Sequence, residues 1–171
     1  MMGFMEKKKK TTTKKSALDD ALNLLTYKSR SELDLRNSLK RKGHDKDQID
    51  NVIMQFKEKG YINDLKNAQL WAESLLQTKS YGLNGIKVEL TKKGVSSDMA
   101  EACANKVYAD VNELDIARAI VKRKFKITEN QMKSEDFEKE CARIYRKLIR
   151  HGFSNDTVFR IINEIRDENQ F

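Results

Sequence analysis

From Ser16 onward, apolar residues recur every three to four positions, the period of helices that each bury one face. Leu18, Ala21, Leu22 and Leu25 make a first stripe, Leu35 and Leu39 begin a second, and Ile49, Val52, Ile53 and Phe56 form a third. A second set follows in Leu65, Ala68, Trp71, Ala72 and Leu75, then Ile86 and Leu90, then Ala100, Cys103, Ala104 and Val107. The third set is Leu114, Ala117, Ile120 and Val121, then Cys141, Ile144, Tyr145 and Leu148, then Val158, Ile161, Ile162 and Ile165. Nine helices are predicted and no strand is needed, which makes the fold class all-α.

The pattern repeats, and Gly43, Gly94 and Gly152 anchor the alignment. Leucine stands four residues before each glycine, as Leu39, Leu90 and Leu148, and an aliphatic residue eight before, as Leu35, Ile86 and Ile144. Each glycine is placed to end a helix in the left-handed conformation, which costs glycine no Cβ clash. Two residues later Asp45, Ser96 or Ser154 offers an N-cap to the next helix, and Gln48 completes a capping box with Asp45. The expected organisation is three tandem three-helix repeats, residues 16–61, 62–110 and 111–171, forming an elongated curved array behind a disordered basic arm of residues 1–15. The extra length of the third repeat falls around Lys126 to Ser134. Such arrays present long surfaces and favour a large partner over a small enclosed substrate.

Composition narrows the classes. At 171 residues the chain is too short for a large multidomain enzyme, and the absence of proline argues against a β domain punctuated by proline turns. The formal net charge is +8, from 34 Lys and Arg against 26 Asp and Glu. Lys7, Lys8, Lys9, Lys10, Lys14 and Lys15, opposed only by Glu6, place most of that excess in the arm. The arm is expected to be solvated, with contact to nucleic acid or an acidic partner as the functional alternative. No apolar run approaches the roughly 18 residues of a membrane span, and no signal peptide is evident, so a cytoplasmic protein without a membrane partner is expected. Cys103 and Cys141 fall at helix-spaced apolar positions and are expected to be reduced core thiols.

Catalytic chemistry finds no constellation, so no catalytic residue, metal site or cofactor is expected. His44 and His151 flank turn glycines at helix ends, where capping or solvent exposure is expected for both. The run beginning Asp45-Lys46-Asp47 fails as a calcium loop, with Asp50 where glycine and Phe56 where glutamate would stand. Gly82-Leu83-Asn84-Gly85 matches a backbone-clamping GxxG pattern, but that module needs strands, and Gly82 fits better as the N-cap counterpart of Ser31. Trp71 shares a stripe with Ala68 and Leu75, so core packing is its default role.

The basic clusters remain. Lys40, Arg41 and Lys42 precede Gly43, Lys92 and Lys93 precede Gly94, and Arg143, Arg146, Lys147 and Arg150 line the equivalent helix of the third repeat. Lys122, Arg123 and Lys124, with Lys126, follow the helix of Ala117 and Ile120. Cations at a helix C-terminus gain a few tenths of a kcal/mol from the macrodipole without any ligand. Placed alike in all three repeats, they also make candidates for a discontinuous strip that meets phosphates or an acidic protein groove.

Several motifs resemble those of the RecX family of bacterial recombinase regulators. Arg30-Ser31-Glu32-Leu33-Asp34-Leu35, then Leu39 and Lys42-Gly43, is similar to that family's R-S-x-x-E-L-x-x-x-L-x-x-K-G signature, with Asp34 in place of glutamate. Gly60-Tyr61-Ile62-Asn63-Asp64 with Ala68 resembles its G-Y-I-x-D-x-x-x-A segment. Lys79-Ser80-Tyr81-Gly82, Ile86, Leu90 and Lys93-Gly94-Val95 fit the second repeat, and Leu148, Gly152-Phe153-Ser154 and Val158 fit the third. Asn67 replaces the family's usual aromatic, and the third repeat lacks the Arg-Ser opening. The resemblance implies a monomeric modulator of RecA, bound in the groove of the RecA filament on single-stranded DNA and restraining its ATPase and strand exchange. Two rivals stand beside it. One is a protein that binds single- or double-stranded DNA directly through helix-turn-helix-like pairs around Gly43 or Gly152; the other is a helical scaffold for a different partner.

Overall fold

The computed structural model describes residues 15–125 and 134–168, so residues 1–14 of the predicted arm and Lys126 lie outside the described residues. Within them the chain forms nine α-helices and no strand: α1 (Ala17–Tyr27), α2 (Glu32–Arg41), α3 (Lys46–Glu58), α4 (Asp64–Gln77), α5 (Leu83–Lys92), α6 (Ser97–Tyr108), α7 (Glu113–Lys124), α8 (Ser134–Arg150) and α9 (Asn155–Glu168). Several starts are set by side-chain caps: Ser16, Ser31, Asn63 and Asn112 each accept a backbone N–H of the first turn, and Asp45 and Gln48 close the predicted capping box, whereas Gly82 and Ser96 stand at the N-cap positions of α5 and α6 without a side-chain cap hydrogen bond.

The helix ends show why the three glycines align. Gly43, Gly94 and Gly152 have φ of 86°, 87° and 76°. The residue after each donates its N–H to a carbonyl five positions back: His44 to Leu39, Val95 to Leu90 and Phe153 to Leu148, at 3.2–3.3 Å. This is the Schellman closure, and it turns the residue after the glycine inward. Val95 and Phe153 are accordingly buried, and so is His44.

Each unit buries its own core. Leu35, Leu39, Ile53 and Phe56 centre the first, Ala68, Ala72, Ile86 and Leu90 the second, and Ile120, Ile144, Leu148 and Val158 the third. The extensive helix contacts fall within units, as in α1 against α2 and α3, α4 against α5 and α6, and α9 against α7 and α8. Some stripe positions differ from expectation. Leu18, Leu22, Leu65 and Tyr145 are exposed, and Trp71 is half-buried. A three-helix unit covers only a narrow arc of each helix; in α1 that arc holds Ala17, Asp20 and Ala21, with Leu24 and Leu25 at its margin.

The histidines also depart from expectation, being neither solvent-exposed nor simple caps. His44 Nε2 lies 2.9 Å from Asp20 Oδ2, and Lys42 Nζ lies 2.9 Å from Asp20 Oδ1. Buried Asp20 is thus doubly paired; His44 first and Lys42 second hold its carboxyl below the usual aspartate range. His151 is buried and its ring stacks on Tyr81, with centroids 4.6 Å apart.

Candidate functional site

Backbone contacts join the units end to end. Ser31, the N-cap of α2, donates its hydroxyl to the carbonyl of Lys93 at the C-terminus of α5, at 2.5 Å. One unit further on, the N–H of Gly82, the N-cap of α5, donates to the carbonyl of His151 at the end of α8, at 2.9 Å. The second helices therefore form a head-to-tail file, α8 to α5 to α2, in which the negative end of each macrodipole meets the positive end of the next. Asn67, in place of the aromatic of the resembled motif, donates its side-chain amide to the Arg30 carbonyl, and Asp64 accepts the N–H of Glu32. The equivalent cations of the three units thus sit at the two junctions and at the outer end of the file.

Their surroundings differ sharply. In the first unit Lys40 is exposed, Arg41 donates to Ser38 Oγ, and Lys42 is committed to Asp20. In the second, Lys92 pairs with Glu89 at 2.7 Å, which raises its pKa above the ordinary lysine value. Lys93 lies 4.7 Å above the Trp71 ring; burial first, and then the charges of Lys28 and Lys79, push its pKa down. Lys28 carries no signal in the sequence and Lys79 enters only through the Lys79-Ser80-Tyr81-Gly82 motif, because each lies in a segment leading out of a helix, apart from the repeated basic position.

The third unit gathers its cations. Arg143, Arg146, Lys147 and Arg150 line an open cleft of about 620 Å³ together with Phe125, and the Arg143 guanidinium lies 5.3 Å from the Phe125 ring centre. Phe125 follows Lys122, Arg123 and Lys124 at the end of α7; Lys122 and Arg123 are exposed, and the Lys124 side chain lies outside the described residues. The cleft brings Arg143, Arg146 and Arg150 to one place but does not gather them with Lys40, Arg41, Lys42, Lys92 or Lys93. Phe125 continues the stripe of Ala117 and Val121 by one more turn, but it stands among Lys122, Arg123, Lys124 and Lys126, which mask the apolar period there. Among the described residues, no group of three or more His, Cys, Asp or Glu side chains is placed to hold a metal ion.

Family models described as the first, second and third three-helix domains of RecX match residues 17–55, 63–103 and 111–162 in that order. The chain belongs to the RecX family. Its relatives include the regulatory protein RecX of Amycolatopsis mediterranei, 26% identical over 150 residues and covering 88% of this chain and 83% of that one. That of Syntrophotalea carbinolica is 26% identical, with 88% and 96% covered. The crystal structure of RecX from Lactobacillus salivarius matches with a TM-score of 0.64 at 25% identity, covering 88% of this chain and 94% of that one. A second crystal structure of regulatory protein RecX gives 0.67 at 20% identity, covering 86% and 71%, and bears on the fold alone. These RecX structures agree with the all-α, three-repeat architecture described above.

Proposed function

We propose that this chain is a regulatory protein that binds the RecA nucleoprotein filament and restrains its ATPase and strand-exchange activities, working by contact and without bond chemistry of its own. The observation that carries the reading is the head-to-tail file of second helices, held by the Ser31–Lys93 and Gly82–His151 hydrogen bonds. It sets equivalent helix ends at successive positions along one body, a geometry matched to a partner that itself repeats. Linked weak contacts to neighbouring subunits gain through effective concentration, and bridging favours one subunit arrangement over another. The three units act as segments near residues 16–61, 62–110 and 111–171 of a cytoplasmic monomer. In this reading Lys40, Arg41, Lys92 and Lys93 supply filament contact in the first two units, and Arg123 and Lys124 extend it in the third. Among the described residues, no helix is long and apolar enough to cross a membrane.

The test is DNA-dependent ATP hydrolysis by the cognate RecA while this protein is titrated in. Hydrolysis is expected to fall at amounts well below one copy per RecA subunit. A rate unchanged at equimolar protein refutes the proposal and favours a scaffold for another partner. Lys40→Ala with Arg41→Ala and Lys92→Ala should weaken the effect; unchanged potency removes those side chains from the contact.

A further inference from the structure

Where the first unit meets the second, lysines from three separate segments converge. Lys28 is the C-cap of α1, Lys79 lies between α4 and α5, and Lys93 is the C-cap of α5. All three residues are exposed, and the charges of Lys28 and Lys79 act on Lys93. Among the described residues, no carboxylate forms an ion pair with any of them. The two acids in the field of Lys93, Glu89 and Asp34, are already bound by Lys92 and Arg30. Cations gathered without a counter-charge repel one another unless an anion enters among them. Lys93 is also fixed at both ends, since its carbonyl accepts the Ser31 hydroxyl and its Nζ rests 4.7 Å from the centre of the Trp71 ring. Its neighbour Lys92, at the same helix end, turns instead to Glu89 at 2.7 Å. Burial first, and then Lys28 and Lys79, push the pKa of Lys93 down, whereas Glu89 raises that of Lys92. Of the two adjacent amines, Lys93 is therefore the one that more readily sheds its proton and becomes a nucleophile.

We propose that Lys93 is a covalent modification site that takes an acyl group from an acyl phosphate, with Lys28 and Lys79 binding the phosphate of the donor. In such a donor the phosphorus and the carbonyl carbon share one oxygen, so a phosphate held by Lys28 and Lys79 brings the carbon to the Lys93 amine. The unprotonated Nζ attacks that carbon. A C–N bond forms, the C–O bond to phosphate breaks, phosphate leaves with the bonding pair, and the proton shed by the nitrogen passes to water. Nothing is oxidised or reduced. The product amide is uncharged, so the repulsion within the cluster falls. A coenzyme thioester carries its phosphates many bonds from the reacting carbon and gains nothing from the same pair of lysines. The inference does not depend on the RecA reading, since the modification is read by mass on the free protein.

The experiment incubates the full chain with acetyl phosphate and follows acetylation at each lysine over time by tandem mass spectrometry. Lys93 should react at least about 5-fold faster than Lys92, the factor that two exposed ion contacts supply. Lys28→Ala with Lys79→Ala should slow Lys93 by about 5-fold with little effect on Lys92, and Lys28→Arg with Lys79→Arg should restore the rate. Inorganic phosphate should slow the reaction at Lys93 more than at Lys92. N-acetoxysuccinimide, an uncharged donor, should give a smaller preference for Lys93. Equal rates at Lys92 and Lys93 overturn the proposal, as does a Lys93 rate indifferent to the alanine pair. A Lys93-to-Lys92 ratio no higher with acetyl phosphate than with N-acetoxysuccinimide also overturns it, because phosphate binding then adds nothing.

Discussion

Replacing Gly85 by alanine sets two effects of opposite sign against each other. Gly85 lies inside α5, where propensity alone makes Gly→Ala stabilising by about 1 kcal/mol. Here, however, an added Cβ falls deep inside contact with the carbonyl of His151 and 2.7 Å from Cδ1 of Tyr81. The Tyr81 ring is held by its stack on His151, and the carbonyl is main chain, so neither yields without moving the end of α8. Relief requires the second and third units to separate. That costs the Gly82–His151 hydrogen bond, about 1 kcal/mol, and most of the Tyr81–His151 stack, about 1 kcal/mol more. With overpacking strain of about 1–3 kcal/mol, the net expectation after the propensity gain is destabilisation by about 2–4 kcal/mol. Urea unfolding followed by far-ultraviolet circular dichroism and by the fluorescence of Trp71, the only tryptophan, measures it. A midpoint that rises would refute the close approach, and with it the end-to-end docking of the units.

Further outcomes follow from other sites. Ser80 holds a left-handed φ of 52° at the end of α4, and its contact to His151 is through the main-chain carbonyl. Ser80→Gly should therefore stabilise the fold by about 1 kcal/mol in the same urea assay, and destabilisation would show that the hydroxyl matters. Because the folded-state pKa of Asp20 lies below its ordinary value, its pairing with His44 and Lys42 stabilises the protein fully above about pH 5 and is lost as pH falls through the folded pKa. The urea midpoint should drop on acidification below that point, and Asp20→Asn should flatten the drop; an unchanged profile would remove Asp20 as its cause. Cys103 and Cys141 are buried and unpaired with each other, and burial pushes both thiols up. Both should react slowly with a disulfide reagent in the folded protein and rapidly in denaturant, whereas fast labelling of the native protein would contradict the described packing.

What the sequence makes legible here is what is local. Helix period, caps and the three Schellman glycines each depend on residues within a few positions of one another, so Leu39-Gly43, Leu90-Gly94 and Leu148-Gly152 announce the repeat without any tertiary knowledge. The joints between units are not local. Gly85 looks like an ordinary helix residue until the His151 carbonyl is found against it, and Ser31 looks like a simple N-cap although its hydroxyl also reaches Lys93, 62 positions away. His44 carries no local sign of its partner, because Asp20 lies a helix and a half earlier on α1. The basic clusters were visible as composition, but their inequality was not. Whether a cation is paired with Asp20 or Glu89, or set with its guanidinium over Phe125 as Arg143 is, depends on which helix faces it.

The way the units are coupled determines what kind of change the protein tolerates. Both couplings end on main-chain carbonyls, of Lys93 and of His151, which every amino acid supplies. The accepting atoms that set the pitch from one module to the next are thus ones that substitution cannot remove, and side-chain identity enters only through the Ser31 hydroxyl and the room the glycines leave. Surface side chains are free to drift in charge and size while the spacing of the docking ends stays fixed, so specificity for a partner can be rewritten without altering the ruler that measures it.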